Sequence, residues 1–257
     1  MTDADPPAHT VDRQGSVAIV HLDRPPVNAL TYRAWQQLVA RLVDLSQDVD
    51  VRVVIIHGGE GQFCAGADIA ELAQPDPEAD DAAMLTVVAD TARAVRACRA
   101  PVIAAIDGPA HGGGLELALA CDIRLASGNA TFAASGINMG LIASVSSLVT
   151  TAGDTAARRM LLTGERIDAA TALSWGLVRD LDDAPLEVAS ALAEQIATKP
   201  PLAVEATKAA LNDLSTQSPS EHEAGLTDTF RYLANTADHR EALAAFLDKR
   251  PPTFSRE

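Results

Sequence analysis

Cysteine is scarce in this chain: Cys64, Cys98 and Cys121 are the only three among 257 residues. An odd count, with two of them inside apolar runs, argues against a disulfide framework and fits reduced thiols in a cytosolic protein. No cysteine–histidine spacing resembles a zinc site, so no metal is expected. Basic residues are also in short supply. Twenty Lys and Arg stand against 35 Asp and Glu, for a formal charge of −15. That argues against nucleic acid or an anionic membrane as the main partner, although a local basic patch could still hold an anionic small ligand. No apolar run reaches membrane-spanning length. Met1 to Thr10 is polar and proline-containing, without the basic and apolar regions of a signal peptide. Apolar content is plentiful: 47% hydrophobic residues supply a core for one large domain or two small ones and exclude a disordered chain.

Along the chain, strand and helix signals alternate first and helices follow. Residues 1 to about 12 read as a frayed tail, and Ser16–Leu22 as a strand ended by the turn Arg24-Pro25-Pro26. Thr31 is a good N-cap for a helix with Trp35, Leu38, Val39, Leu42 and Leu45 on one stripe. The β-branched run Val51–His57 predicts a strand buried on both faces. Gln74–Asp81 is proline- and acid-rich, and reads as a mobile surface loop. Ala82–Arg99 is helical, Asp122–Ala126 and Ala130–Ala133 are short strands, and Leu177–Leu181 is a last one. Asp154 and Asp168 are expected N-caps, and Gly164 and Gly176 helix stops. From Pro185 onward, 186–198, 200–213, 219–235 and 238–248 all carry helical spacing.

The most informative segment runs from Pro101 to Asp122. Val102–Ile106 reads as a buried strand and Leu115–Cys121 as a buried helix, with His111 and three glycines, Gly112-Gly113-Gly114, between them. Glu116 is the only ionisable side chain between Gly114 and Asp122, so burial would require it to be paired, protonated or working. Consecutive glycines leave the backbone N–H groups of the turn open to hold negative charge at a helix start. An anion holder beside a carboxylate suggests chemistry on a carbonyl. Each residue also has a plainer reading. Glu116 could be a structural carboxylate and the glycines a mere tight turn. No Lys-Ser/Thr pair follows them to make a nucleotide loop. His111 could be a satisfied structural imidazole, Asp68 a helix cap or loop brace, and Cys64 an inert thiol with no partner base.

Taken together, these residues resemble the enoyl-CoA hydratase/isomerase, or crotonase, superfamily. The resemblance rests on Asp23-Arg24-Pro25-Pro26-Val27-Asn28-Ala29-Leu30, on Phe63-Cys64-Ala65-Gly66-Ala67-Asp68-Ile69, and on Ala104 to Ala118. Ala120-Cys121-Asp122-Ile123-Arg124, Leu162-Thr163-Gly164 and Phe246 to Pro251 add to it. It implies an α/β fold, a crotonase-like spiral of ββα units over 1–198, with a C-terminal helical region over 199–257 that makes a homotrimer or dimer of trimers. The implied ligand is an acyl-CoA thioester, with coenzyme A as part of the substrate and no separate cofactor. The backbone N–H groups of Ala67 and Gly113 would form the oxyanion hole, with Glu116 as acid/base. Val27, Ala29, Ala65, Ala67, Asp68, Ile69, His111, Gly112, Gly113 and Gly136 would line the ligand. Lys249 would reach the nucleotide end of a neighbouring subunit's ligand, or else serve only as a solvated helix-end cation.

The resemblance also marks a departure. Hydratases of the family carry a second glutamate in a Phe-Gly-x-Pro-Glu-type segment, here Phe132-Ala133-Ala134-Ser135-Gly136, so Gly136 stands in its place. The following Gly-x-x-Pro-Gly-x-Gly-Gly signature is rewritten as Gly140 to Ser147. The chain thus resembles an atypical branch. The expected activity is addition of water to a 2-enoyl-CoA through one glutamate. The alternatives are a non-catalytic acyl-CoA-binding protein on the same scaffold, or another acyl-CoA reaction such as decarboxylation, thioester hydrolysis or isomerisation. Isomerases rely on the missing position, which disfavours that last reaction. His111, Ser135, Asn138 and Ser144 are the polar candidates near the acyl end.

Overall fold

The structure is a computed structural model that describes residues 8–74, 82–142, 145–214 and 217–257. The loop read at Gln74–Asp81 lies, but for its first residue, outside the described residues, as does Ser144. The chain opens with an antiparallel hairpin of β1 (His9–Gln14) and β2 (Val17–Leu22), in register from His9↔Leu22 to Gln14↔Val17. The expected tail is therefore a strand from His9 onward. The reading missed it because β1 is an edge strand whose side chains are mostly polar and exposed.

A repeated unit follows: a long strand, a short strand, then a helix. It runs β2, β3 (Ala29–Leu30), α1 (Tyr32–Gln47), then β4 (Val53–His57), β5 (Gly66–Ala67), the single turn α2 (Ile69–Leu72) and α3 (Ala83–Ala97). The third unit is β6 (Val102–Ile106), β7 (Pro109–His111) and α4 (Gly113–Ala120). The fourth is β8 (Ile123–Ala126) and β9 (Thr131–Ala133), which lead through a 3-10 turn (Ser135–Met139) into α5 (Val145–Ala152) and α6 (Asp154–Thr163). After β10 (Arg166–Asp168), α7 (Ala169–Ser174) and β11 (Asp180–Leu181) come α8 (Pro185–Ala197), α9 (Pro201–Asp213), α10 (Pro219–Ala234) and α11 (Ala237–Asp248).

The long strands build one six-stranded sheet in the order β1-β2-β4-β6-β8-β11, parallel from β2 onward. The short strands stack beside it as β3-β5 and β7-β9-β10, joined by a parallel bridge between Cys64 and Ala110. Strands of two or three residues show too little periodicity to reveal their partners, so these pairings are not legible in the sequence.

The unbroken apolar runs in β4 and β6 are explained by two cores. Alternation sends Ala18, Val54, Ile56, Val102 and Ala104 toward α1, α3 and α4. It sends Ile19, Val53, Ile55, Ile103 and Leu125 to the opposite face, under Ala189 and Ala193 of α8. Thr31 caps α1 by accepting from Ala34 N, and Trp35, Leu38, Leu42 and Leu45 are buried along its expected stripe. Asp168 and Gly164 cap as expected. Asp154 does not, because Gly153 takes the cap position and Asp154 is the first helical residue.

The helical end is bolted to this core through Lys208 of α9. Its side chain is 5% exposed, with Nζ 2.8 Å from Asp122 Oδ2 and donating to Val95 O at 3.0 Å and Ala100 O at 3.1 Å. Three acceptors satisfy all three ammonium protons, which makes a buried cation tolerable. Beyond it, α10 and α11 leave Phe230, Phe246 and Leu247 exposed. Among the described residues no helix is long and apolar enough to cross a membrane.

Candidate active site

The turn between β7 and α4 needs its glycines for spatial reasons. A Cβ on Gly114 would lie 1.9 Å from Cys64 O, so α4 sits flush on the backbone of the chain entering β5. A Cβ on Gly66, whose φ is +98°, would lie 2.8 Å from His111 O and 2.9 Å from Gly113 N. Gly66 and the first amide of α4 are therefore in direct apposition. His111 N donates to Cys64 O at 3.0 Å, and Cys64 N donates to Pro109 O at 2.9 Å, which fixes the two backbones in register.

At the start of α4 the amides are divided between structure and availability. Gly112 N donates to Ala133 O at 2.9 Å, and Glu116 N to Gly112 O at 3.1 Å. The Gly113 N–H has no acceptor among the described residues, as befits a first-turn amide. Behind it, Trp35 Cζ2 lies 3.1 Å from where a Gly113 side chain would start, with Val88 at 3.4 Å. The loop is backed by packed core on that side. Glu116 is part-exposed rather than buried, which corrects the sequence reading. An apolar segment suggested full burial, but Glu116 takes the face of α4 that opens beside the glycine turn, while Leu115 and Leu117 turn inward.

The second amide carrier, Ala67, is held by polar bracing. Asp68 accepts from Ala70 N at 2.9 Å to cap α2, and its Oδ2 lies 2.7 Å from Arg24 Nη1. The same guanidinium donates to Ala29 O on β3. Burial pushes the Asp68 carboxyl up, but Arg24 and the amides of Ala70 and Glu71 outweigh it and hold the group below its ordinary value. Asn28, buried at φ +51°, accepts from Arg24 N at 2.8 Å and donates to Gly58 O at 2.7 Å and Phe63 O at 2.9 Å. The sequence pattern alone gives Arg24 and Asn28 no role beyond their place in a motif. Asparagine inside a proline turn, tolerant of positive φ, was the signal that could have singled it out.

Val27, Ala29, Ala65, Ala67, Asp68 and Ile69 are all part- or fully exposed, whereas Asn28, Leu30 and Gly66 between them are buried. The two segments run side by side as a seam, through the β3–β5 pairing, the bonds from Ala65 N to Val27 O and from Asp68 N to Leu30 O, and the apposition of Gly66 to Gly113 N. Gly136 joins them through its neighbour, because Ser135 Oγ lies 3.1 Å from the point where a Gly112 side chain would begin.

His111 turns toward Thr131, with Nε2 3.0 Å from its Oγ1. Burial, with Arg166 second, pushes its pKa down to about 4, so it stays neutral near pH 7. Cys64 is buried, donates to Asn28 O, and has its thiol pushed up to about 12 by burial, which fits an inert thiol. Lys249 is the C-cap of α11 at φ +53° and is exposed.

With this geometry in view, comparison with known proteins settles the family. The sequence model of enoyl-CoA hydratase/isomerase matches residues 12–257. The chain belongs to the enoyl-CoA hydratase/isomerase family. The family member is 38% identical over 255 residues to the 2,3-dehydroadipyl-CoA hydratase of Escherichia coli strain K12, covering 95% of this chain and 97% of that one. It is 35% identical to the (E)-benzylidenesuccinyl-CoA hydratase of Thauera aromatica, covering 95% and 98%. Its fold matches the crystal structure of an enoyl-CoA hydratase from Bacillus anthracis with a TM-score of 0.93 at 31% identity, covering 97% of this chain and all of that one. The ββα spiral is thus the crotonase fold expected from the sequence.

Proposed function

We propose that this family member adds water across the C2=C3 bond of a 2-enoyl-CoA thioester, the thioester being its only organic ligand. The observation that carries the reading is the apposition of Gly66–Ala67 and Gly113, with Glu116 one helical turn beyond. The N–H groups of Ala67 and Gly113 hold the thioester oxygen. As water attacks C3, the π electrons move toward C1 and charge gathers on that oxygen. Each such donor is worth ~3 kcal/mol in the transition state. Glu116 takes a proton from the attacking water and returns it to C2, so hydrogen and hydroxyl add overall and the carboxylate is regenerated. The seam from Val27 to Ile69 carries the pantetheine arm. In this reading the protein is a cytosolic enzyme, consistent with three buried free thiols.

Self-assembly belongs to the same proposal. Leu243, Phe246 and Leu247 of α11 and Phe230 of α10 are exposed and large, and a trimer or dimer of trimers would cover them and bring Lys249 to a neighbour's ligand. Light scattering at micromolar concentration tests this, and a monomer would contradict it.

One observation favours a second reading, an acyl-CoA binder without turnover: Gly136 offers no second carboxylate. Crotonyl-CoA hydration by the wild type, beside Glu116→Gln and Gly136→Glu, separates the two. Wild-type turnover that falls ~10²–10⁴-fold in Glu116→Gln supports the hydratase. Binding without turnover, with activity appearing only in Gly136→Glu, supports the binder.

A further inference from the structure

A hydratase with one glutamate needs another group to orient its water. Of the four polar candidates near the acyl end, His111, Ser135 and Asn138 lie among the described residues, and their geometry separates these three. His111 is committed to Thr131 Oγ1 and held neutral by burial. Asn138 donates to Gly164 O at 3.2 Å and is exposed. Ser144 lies outside the described residues. Ser135 is part-buried, opens the 3-10 turn, and makes no side-chain hydrogen bond among the described residues. Its Oγ lies against Gly112, whose carbonyl accepts from Glu116 N, and the chain leading to it is pinned there by the bond from Gly112 N to Ala133 O.

We infer that Ser135 holds the attacking water opposite Glu116, in place of the carboxylate absent at Gly136. This rests on the hydratase reading. A hydroxyl cannot serve as the base, and it need not. The water's oxygen forms the bond to C3, Glu116 carries the proton from that water to C2, and Ser135 only accepts or donates a hydrogen bond while both transfers occur. Because Gly112 has no side chain, nothing at that position crowds the hydroxyl, which stays uncovered on the side of the turn.

The test is a cycle of Ser135→Ala, Ser135→Thr, Gly136→Glu and Ser135→Ala/Gly136→Glu in crotonyl-CoA hydration, with thermal melts to verify folding. Ser135→Ala is expected to lower kcat about tenfold or more at nearly constant KM, the size of one hydrogen bond made in the transition state. Ser135→Thr, which keeps the hydroxyl, should restore most of it. In the Gly136→Glu background the same alanine change should matter about twofold at most, because the carboxylate takes over the water. Full kcat in Ser135→Ala, or an equal loss in both backgrounds, would overturn the assignment while leaving the hydratase reading intact. A wild type that hydrates no enoyl thioester would remove both.

Discussion

The two ends of the candidate site are built differently. The thioester end is backbone against backbone: Gly66 on Gly113 N, Gly114 on Cys64 O, with Arg24, Asn28 and Asp68 bonded around it. The acyl end, from Ile137 to Val149, has no charged residue. It leaves Ile137, Met139, Leu141, Ile142 and Val145 exposed. One end tolerates almost no atomic displacement, and among the described residues the other is held by few specific bonds. A catalyst that must place two amides on one oxygen needs the first kind of construction, while a pocket that need only accommodate an acyl group can be of the second kind.

The sharpest way to break the comparison is at Gly113. Gly113→Ala and Gly113→Pro both push a Cβ toward Trp35 and Val88, but only proline deletes the N–H. Gly113→Pro should lose ~10²–10³-fold in kcat beyond whatever Gly113→Ala loses. Both share the Cβ contact, and melting curves verify that the added proline ring leaves the variant folded. Equal kcat in two folded variants would sink the role of this amide.

What could be read in the sequence follows the same divide. The glycine turn, Glu116, and the strand–helix order were legible because long apolar runs and glycine clusters leave a pattern in one dimension. The buried strands were legible as continuous apolar runs such as Val53–Ile56, whereas the polar edge strand β1 was not. What could not be read depends on contacts distant in sequence. The β3–β5 and β7–β9 pairs are too short to show a period, and the guanidinium of Arg24 reaches Asp68, 44 residues on, only because β3 and β5 pair. The exposure of Glu116 was misjudged because a helix with seven apolar or glycine residues out of eight gives no hint of which side opens.

The brace itself offers a prediction of middle size. Arg24→Met should lower kcat ~10–100-fold by letting β5 shift against Gly113, at a stability cost of only about 1 kcal/mol for a part-exposed pair. Asp68→Asn keeps the capping oxygen but removes the charge, so it should lower kcat in the same direction and by less. Stopped-flow hydration beside denaturant melts would check both. The sign of the pH effect follows from the shift. The folded carboxyl titrates below its unfolded value of about 3.9, so its contribution is fully present above that pH and is lost only as pH falls through the lower folded value. A loss of wild-type stability attributable to Asp68 between pH 8 and pH 5 would contradict this.

At the acyl end the expected effects are smallest. Ile142 is 72% exposed and Met139 56% exposed, and neither side chain hydrogen-bonds or packs into either core. Ile142→Ser and Met139→Ser should each change stability by no more than about 0.5 kcal/mol. If they leave crotonyl-CoA hydration unchanged but alter kcat/KM with the length of the acyl group, the loose end is a surface for substrate choice. A large loss of stability from either change would mean that this end is as tightly specified as the thioester end, and the contrast between the two would fail.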